Sequence, residues 1–387
     1  MPIAANRRLR IAFLPLLSAL AICSTFAAPA QAAEKLRSFP VDPTEISVAG
    51  ISSGAFMANQ LHVAHSADIM GSAMIAGGLY GCAAQDVTDD GVLALASQAV
   101  GACMKVPFLL DDVRTYNQRL EQLFAKGWID NPSNLARAKI YFFTGGSDQV
   151  VNSKTVEDGK ALYDALGVPS GNIVFEDRSG PAAKAGHSWV SPNYGGACDA
   201  NASPYIDDCG YDQAGAELKA IYGQNLKPPG PVASGRILAF DQKEFVPDEA
   251  TAANGLSESG YLYVPKTCEP GAAHPCRLQV VLHGCQQSAE AIGDVFYTRI
   301  GVNQWADAND ILVLYRRRMR QVRANCRPSL AFRAPVRQPR RLLELVGLCR
   351  RSPVLDQKGR SGDRALEYGF AARGKVRADF RLNTHSR

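Results

Sequence analysis

The chain has no C-x-x-C pair and no H-E-x-x-H segment, so the usual zinc spacings are missing despite ten cysteines and six histidines. It has no internal repeat. The one long apolar run, residues 11–26, is too short to span a bilayer comfortably, which argues against a retained anchor. Charge is modest: 20% of residues are charged and 46% are hydrophobic, which are globular values. The net charge of +5 is unevenly placed and collects in the last seventy or so residues.

What is present begins with a leader. Arg7, Arg8 and Arg10 precede the apolar run, and Ala28-Pro29-Ala30-Gln31-Ala32 offers small residues for cleavage, so residues 1–32 read as a secretion signal. About 350 residues would follow, enough for one large α/β domain with insertions or two smaller ones. A periplasm or medium oxidises thiols. Local pairs are expected, Cys82 with Cys103, Cys198 with Cys209 and Cys268 with Cys276, although spacing alone does not fix connectivity. Each would contribute roughly 2–3 kcal/mol if unstrained. Cys23 leaves with the leader, and Cys285, Cys326 and Cys349 are unassigned.

Strand and helix patterns alternate, which predicts an α/β fold with a mainly parallel central sheet and helices on both faces. Strands are expected at 46–51, 72–75, 139–143, 173–175, 261–264, 278–282 and 311–315. Helices are expected at 55–67, 109–124, 153–166 and around 292–308. The stretch 198–231 reads as a loop-rich surface insertion.

The chemistry sits at Gly50-Ile51-Ser52-Ser53-Gly54, a Gly-x-Ser-x-Gly between a β-branched run and an apolar-periodic stretch. In that context it reads as a nucleophile elbow, a sharp strand-to-helix turn that exposes its serine. The bland alternative is a Gly/Ser turn whose serine caps the helix. A nucleophilic serine needs a base and an acid that orients the base. His187 is the favoured base because Gly186-His187-Ser188-Trp189 lies in a loop, whereas His62 and His65 fall on the elbow helix, His283 ends a strand, His274 lies between two cysteines and His385 is in the tail. Asp148 is the favoured acid, at the end of the 139–143 strand, with Asp177 its rival. Oxyanion donors are expected from the backbone N–H groups of Ser53 and Cys285, the latter in Leu282-His283-Gly284-Cys285-Gln286-Gln287.

In an ordinary α/β-hydrolase the His-Gly oxyanion strand precedes the elbow, whereas here it follows all three triad candidates. A circular permutation accounts for that order. The segments Val48-Ala49-Gly50-Ile51-Ser52-Ser53-Gly54-Ala55-Phe56-Met57, Gly146-Ser147-Asp148, Gly186-His187, Leu282-His283-Gly284-Cys285-Gln286 and Gly301-Val302-Asn303-Gln304-Trp305-Ala306-Asp307 together resemble the circularly permuted, short-chain-length poly(3-hydroxybutyrate) depolymerases. The resemblance implies an α/β-hydrolase domain over residues 33–315 and a secreted esterase cleaving 3-hydroxybutyrate polyester or oligomers. It implies Ser52, Asp148 and His187 as triad, the amides of Ser53 and Cys285 as oxyanion hole, and no metal or organic cofactor. An apolar polyester surface also calls for exposed aromatics near the cleft, and Trp189 is the candidate, against ordinary packing.

The likeness stops after Tyr315. Arg316, Arg317, Arg318, Arg320 and Arg323 open an Arg-rich tail of weak periodicity. Such a tail could bind nucleic acid or anionic polymer, but a shifted reading frame explains it better. One permitted back-translation of residues 338–349, read one nucleotide later, gives Asn-Pro-Asp-Gly-Cys-Trp-Ser-Trp-Trp-Gly-Tyr, which resembles the aromatic-rich segment of the family. Residues 316–387 are therefore expected to be poorly ordered and the product destabilised or inactive, with no nucleic-acid partner. Competing readings are a carboxylesterase on acylated polysaccharide, because the His-Gly-Cys-x-Gln turn also resembles feruloyl and acetylxylan esterases, and a non-catalytic secreted binding protein. No separate polymer-binding module is visible, and oligomeric state is open.

Overall fold

The computed structural model describes residues 35–82, 98–180, 183–242 and 259–316. The proposed leader and the Arg-rich tail beyond Arg316 lie outside the described residues. Among the described residues eleven strands run in the order β1 (Val41–Ile51), β2 (Ile69–Ile75), β3 (Lys139–Phe143), β4 (Ile173–Glu176), β5 (Trp189–Ser191), β6 (Gly196–Ala197), β7 (Ile206–Asp208), β8 (Arg236–Asp241), β9 (Ser259–Val264), β10 (Cys276–Leu282) and β11 (Ile311–Arg316). Eight of them form one sheet, ordered β4-β3-β2-β1-β10-β11-β9-β8, and β5-β7-β6 form a second. The large sheet is parallel except where β9 pairs with β8 and β11.

The strand that precedes the elbow lies in the middle of the large sheet. It pairs in parallel with β10 through Ser47 to Gln279 and Gly50 to Leu282, and with β2 through Gly50 to Met74. Residues 46–51 of β1 are buried one after another, Ser47 included, because parallel strands at the centre are covered on both faces. Val48, Ala49 and Ile51 are fully buried.

Alternation within each strand divides the core. Tyr141 and Phe143 of β3 face a cluster that includes Ala214, Leu218, Val302 and Trp305, whereas Ile140 and Phe142 face Val63, Val156 and Leu162. Helices therefore cover both faces: Gln213–Tyr222 and Val302–Ala308 on one, Ser53–Ala64, Val113–Ala125 and Ser153–Ala165 on the other. Each fully buried Ile, Leu or Phe contributes about 1.5–3 kcal/mol relative to exposure.

Some boundaries differ from the sequence reading. The stretch 198–231 is no surface insertion, since it contains β7 and the helix Gln213–Tyr222, whose Ala214, Leu218 and Ile221 are buried in the main core. Its loop-like composition hid an N-cap, Asp212, which accepts from the Gly215 N–H. The segment around 292–308 is three short helices rather than one, interrupted at Gly293 and Gly301, both at positive φ. The helix expected from 109 begins at Val113, capped by Asp112. β8 was missed because its edge position leaves Arg236 and Ala239 exposed and blurs the alternation.

The three expected disulfides are present, with Cα separations of 5.8 Å for Cys82–Cys103, 4.7 Å for Cys198–Cys209 and 5.9 Å for Cys268–Cys276. Cys285 is disulfide-bonded as well.

Candidate active site

Ser52 sits between β1 and the helix Ser53–Ala64 with φ 55° and ψ −123°, a conformation that β-carbon sterics disfavour. Such a residue costs of order 1–3 kcal/mol and persists only when its surroundings enforce it. Here the Ser52 N–H donates to the Ile75 carbonyl at 2.8 Å, and the Phe56 N–H donates to the Ser52 carbonyl at 3.1 Å. The flanking glycines are required by contact: a Cβ on Gly50 would lie 2.3 Å from the Gly54 carbonyl oxygen, and one on Gly54 would lie 2.2 Å from that of Leu282. Ser52 makes no side-chain capping bond, so the plain N-cap reading does not hold.

Asp148 and His187 meet. Asp148 Oδ2 lies 2.8 Å from His187 Nδ1, and both side chains are almost completely buried. The second carboxylate oxygen, Oδ1, accepts the N–H groups of Val150 at 2.8 Å and Val151 at 2.9 Å, so this aspartate both caps a turn and reaches the imidazole. Asp177 is exposed and occupied with the N–H and hydroxyl of Ser179.

Asn201 ties this pair together. Its Oδ1 accepts the N–H of Gln149 at 2.9 Å and of His187 at 3.0 Å, while its Nδ2 donates to the carbonyls of Ser147 at 2.9 Å and Asp199 at 3.1 Å. The residues on both sides of Asp148 and the backbone of His187 are thus held by one side chain. Sequence reasoning passed over it, because it lies in the stretch assigned to an insertion and carries no chemistry of its own.

The other histidines have other tasks. His62 is fully buried, its Nδ1 2.7 Å from the Tyr163 hydroxyl, and burial pushes its pKa down to about 3, with the Arg137 charge adding to the fall. His65 is buried and His274 exposed. His283 Nδ1 is 2.8 Å from the Gly284 carbonyl, and its ring packs edge-on to Phe296. His385 lies outside the described residues.

The segment after β10 comes up against the elbow. A Cβ on Gly284 would be 3.1 Å from Ser52 Cβ, and the Ser53 hydroxyl lies 3.4 Å from Cys285 Sγ. Ser53 is the first residue of its helix, so its N–H belongs to the unpaired first turn, where helices favour negative charge.

One candidate is overturned. Trp189 is fully buried, its indole N–H donates to the Ile300 carbonyl at 3.0 Å, and its ring packs edge-on to Phe296. With its polar atom satisfied inside the core, it offers no exposed aromatic surface, and ordinary packing is its role. Two buried groups near His187 were not foreseen. Asp207 on β7 has its carboxyl pushed up to about 6 by burial, opposed by the Ser188 hydroxyl, raised further by Asp199 and lowered by His187. Gln287 is 1% exposed and hydrogen-bonded at both ends of its carboxamide.

No family model matches the chain. It is 34% identical over 300 residues to "Poly(3-hydroxybutyrate) depolymerase" of Delftia acidovorans, a match covering 77% of this chain and 56% of the relative. It is 37% identical over 295 residues to "Polyhydroxybutyrate depolymerase" of Talaromyces funiculosus, covering 73% of this chain and 77% of the relative. The match thus spans little more than half the length of the bacterial relative. Among solved structures, a serine-to-alanine variant of a PHB depolymerase complexed with an R3HB trimer is similar with a TM-score of 0.66 and 31% identity, over 81% of this chain and 98% of that one. A PHB depolymerase from Penicillium funiculosum is similar with a TM-score of 0.65 and 29% identity, over 82% of this chain and all of that one.

Proposed function

The chain belongs to the poly(3-hydroxybutyrate) depolymerase family and has its α/β-hydrolase fold, and from that membership we propose a secreted serine esterase that hydrolyses poly(3-hydroxybutyrate) or its oligomers. Ser52 is the nucleophile, His187 the general base and Asp148 its orienting acid. The observation that carries this reading is the buried 2.8 Å contact between His187 and Asp148, in a fold whose elbow holds Ser52 in a strained backbone conformation.

The chemistry is acyl transfer. His187 takes the Ser52 proton as the hydroxyl attacks the ester carbonyl, then gives it to the departing alkoxide. The oxyanion is met by the N–H groups of Ser53 and Cys285, donors of a kind whose loss costs about 10²–10³ in rate. Water, activated by His187, then releases the acyl group. Asp148 Oδ2 accepts from Nδ1–H, which leaves Nε2 as the basic nitrogen and stabilises the imidazolium.

Substrate class is supported by the relatives, one of which holds an R3HB trimer. The sheet order supports a circular permutation: reading from the β8 edge, the late strands β8 to β11 occupy the half that early strands fill in the unpermuted fold. Feruloyl and acetylxylan esterases usually keep the unpermuted order, so the order favours the polyester reading. Secretion is supported by the leader-like residues 1–32 and by disulfides in the catalytic domain. Among the described residues no helix is long and apolar enough to cross a membrane. Residues 316–387 are read as the product of a shifted frame, for which intact mass and resequencing are the tests.

The function itself is tested with a chromogenic short-chain ester and with clearing of amorphous polyester granules. Ser52→Ala abolishes turnover and leaves the circular dichroism spectrum unchanged; retained turnover removes Ser52 from the mechanism. Ester cleavage without granule clearing redirects the assignment to a soluble ester.

A further inference from the structure

Gln287 lies two residues beyond Cys285, and its side chain reaches in two directions. Its Oε1 accepts the Gly284 N–H at 2.8 Å, while its Nε2 donates to the carbonyls of both Pro204 and Tyr205, each at 3.0 Å. The orientation of the carboxamide is fixed by these partners, since a flip would set its nitrogen against an N–H and its oxygen against two carbonyls. The Gln287 N–H also turns back to the Gly284 carbonyl at 3.4 Å.

Each end of this bridge touches a part of the proposed machinery. At the near end, Gly284 packs on Ser52, and Cys285 is fixed between Gly284 and Gln286, the latter at φ 64°. At the far end, the Tyr205 ring stands edge-on to the His187 imidazole with centroids 5.9 Å apart, and its carbonyl also accepts the Trp189 N–H at 2.9 Å. Tyr205 is itself at φ 56°. Two non-glycine residues in left-handed backbone conformations, one at each end, are costly unless their neighbours over-determine them. The carboxamide supplies bonds to both turns, and few side chains could supply a donor and an acceptor at that spacing.

We propose that Gln287 is a positioning residue that holds the oxyanion turn at Cys285 in register with the His187 loop. The role rests on the reading of Ser52, His187 and Cys285 given above. Aligned donors for the developing oxyanion matter to the transition state more than to the bound ester, and a misplacement of about 1 Å costs on the order of 10² in rate. The effect of losing Gln287 therefore falls on kcat rather than on KM.

The test uses the full chain, a chromogenic short-chain ester and titration of active sites with an organophosphonate. Gln287→Met keeps the length of the side chain and loses its donors and acceptor; kcat per titrated site is expected to fall about 10²-fold with KM nearly unchanged. Gln287→Glu keeps the acceptor for Gly284 but loses the donors when ionised. On acidification its neutral carboxyl regains an O–H donor, so its kcat relative to wild type rises as pH falls, while the ratio for the Met variant stays flat. If the Met variant does not fold, the Glu pH ratio decides alone. Unchanged kcat per titrated site in the folded variants, or a flat ratio for Glu, overturns the proposal. If Ser52→Ala still cleaves the ester, or if wild type does not although intact mass and resequencing find no shifted frame, the hydrolase reading itself fails and takes this role with it.

Discussion

The two sides of the candidate site are built by different means. On the Ser52 side, Ser52, Gly50, Gly54 and Gly284 are held by close backbone contact between long central strands, with a carbonyl oxygen 2.2 Å from where a Gly54 Cβ would stand. On the other side, Asp148 and His187 lie on loops beyond β3 and before the three-residue β5, and the side chain of Asn201 fastens them. Backbone contact demands particular residue types, so it leaves a mark in sequence. A side-chain clamp leaves almost none.

The largest effect is expected on the backbone-set side. Gly54→Ala forces the Leu282 carbonyl away from the elbow, and overpacking against backbone costs about 3 kcal/mol or more. For a domain of this size that lowers Tm by roughly 5 °C, read by thermal denaturation, along with loss of ester turnover. A Gly54→Ala protein of wild-type Tm would show that the elbow is not backbone-locked. On the clamped side the fold should survive and the chemistry suffer. Asn201→Ala is expected to lower kcat by about 10²-fold at nearly unchanged KM, with a smaller loss of Tm than Gly54→Ala. An equal loss of Tm in both variants would erase the distinction between the two sides.

Stability against pH sharpens the same contrast, because its dependence has opposite signs on the two sides. His62, on the helix that follows Ser52, has a folded pKa of about 3 against an ordinary 6.5, so below 6.5 the unfolded chain takes up a proton that the folded one refuses. Its contribution is present above pH 6.5 and is lost as pH falls toward 3. Asp207, beside His187, has a folded pKa of about 6 against an ordinary 3.8, so the folded state holds the proton longer. Its contribution is full below pH 3.8 and is lost as pH rises through 6. Tm profiles of His62→Gln and Asp207→Asn between pH 4 and 7 should therefore depart from wild type with slopes of opposite sign, and parallel profiles would contradict the assignment.

The same contrast explains what the sequence made legible. The Gly-x-Ser-x-Gly spacing, the strand 139–143 ahead of Asp148 and the Gly-His loop were readable because each rests on a backbone requirement or a strong local period. The three local disulfides were expected from nearby cysteines and the leader-like N-terminus, although spacing alone left their connectivity open. Asn201 and Gln287 were hidden because an amide side chain looks alike at a surface and in a clamp; only the partners distinguish them. Trp189 misled for a related reason. Its place beside the histidine suggested a wall of the cleft, but strand β5 packs it against Phe296 and leaves no face outward.

The pairing of β1 with β10 has a temporal side. Val41 matches Cys276 in the sheet, so one edge of the elbow strand stays open until that distant stretch of chain arrives. Contacts so far apart in sequence slow folding and prolong the exposure of a sticky edge. A nascent copy carrying only the first four strands would thus present an unfinished ribbon to its surroundings, and a chaperone-like holding step before β10 docks would raise the yield of finished molecules.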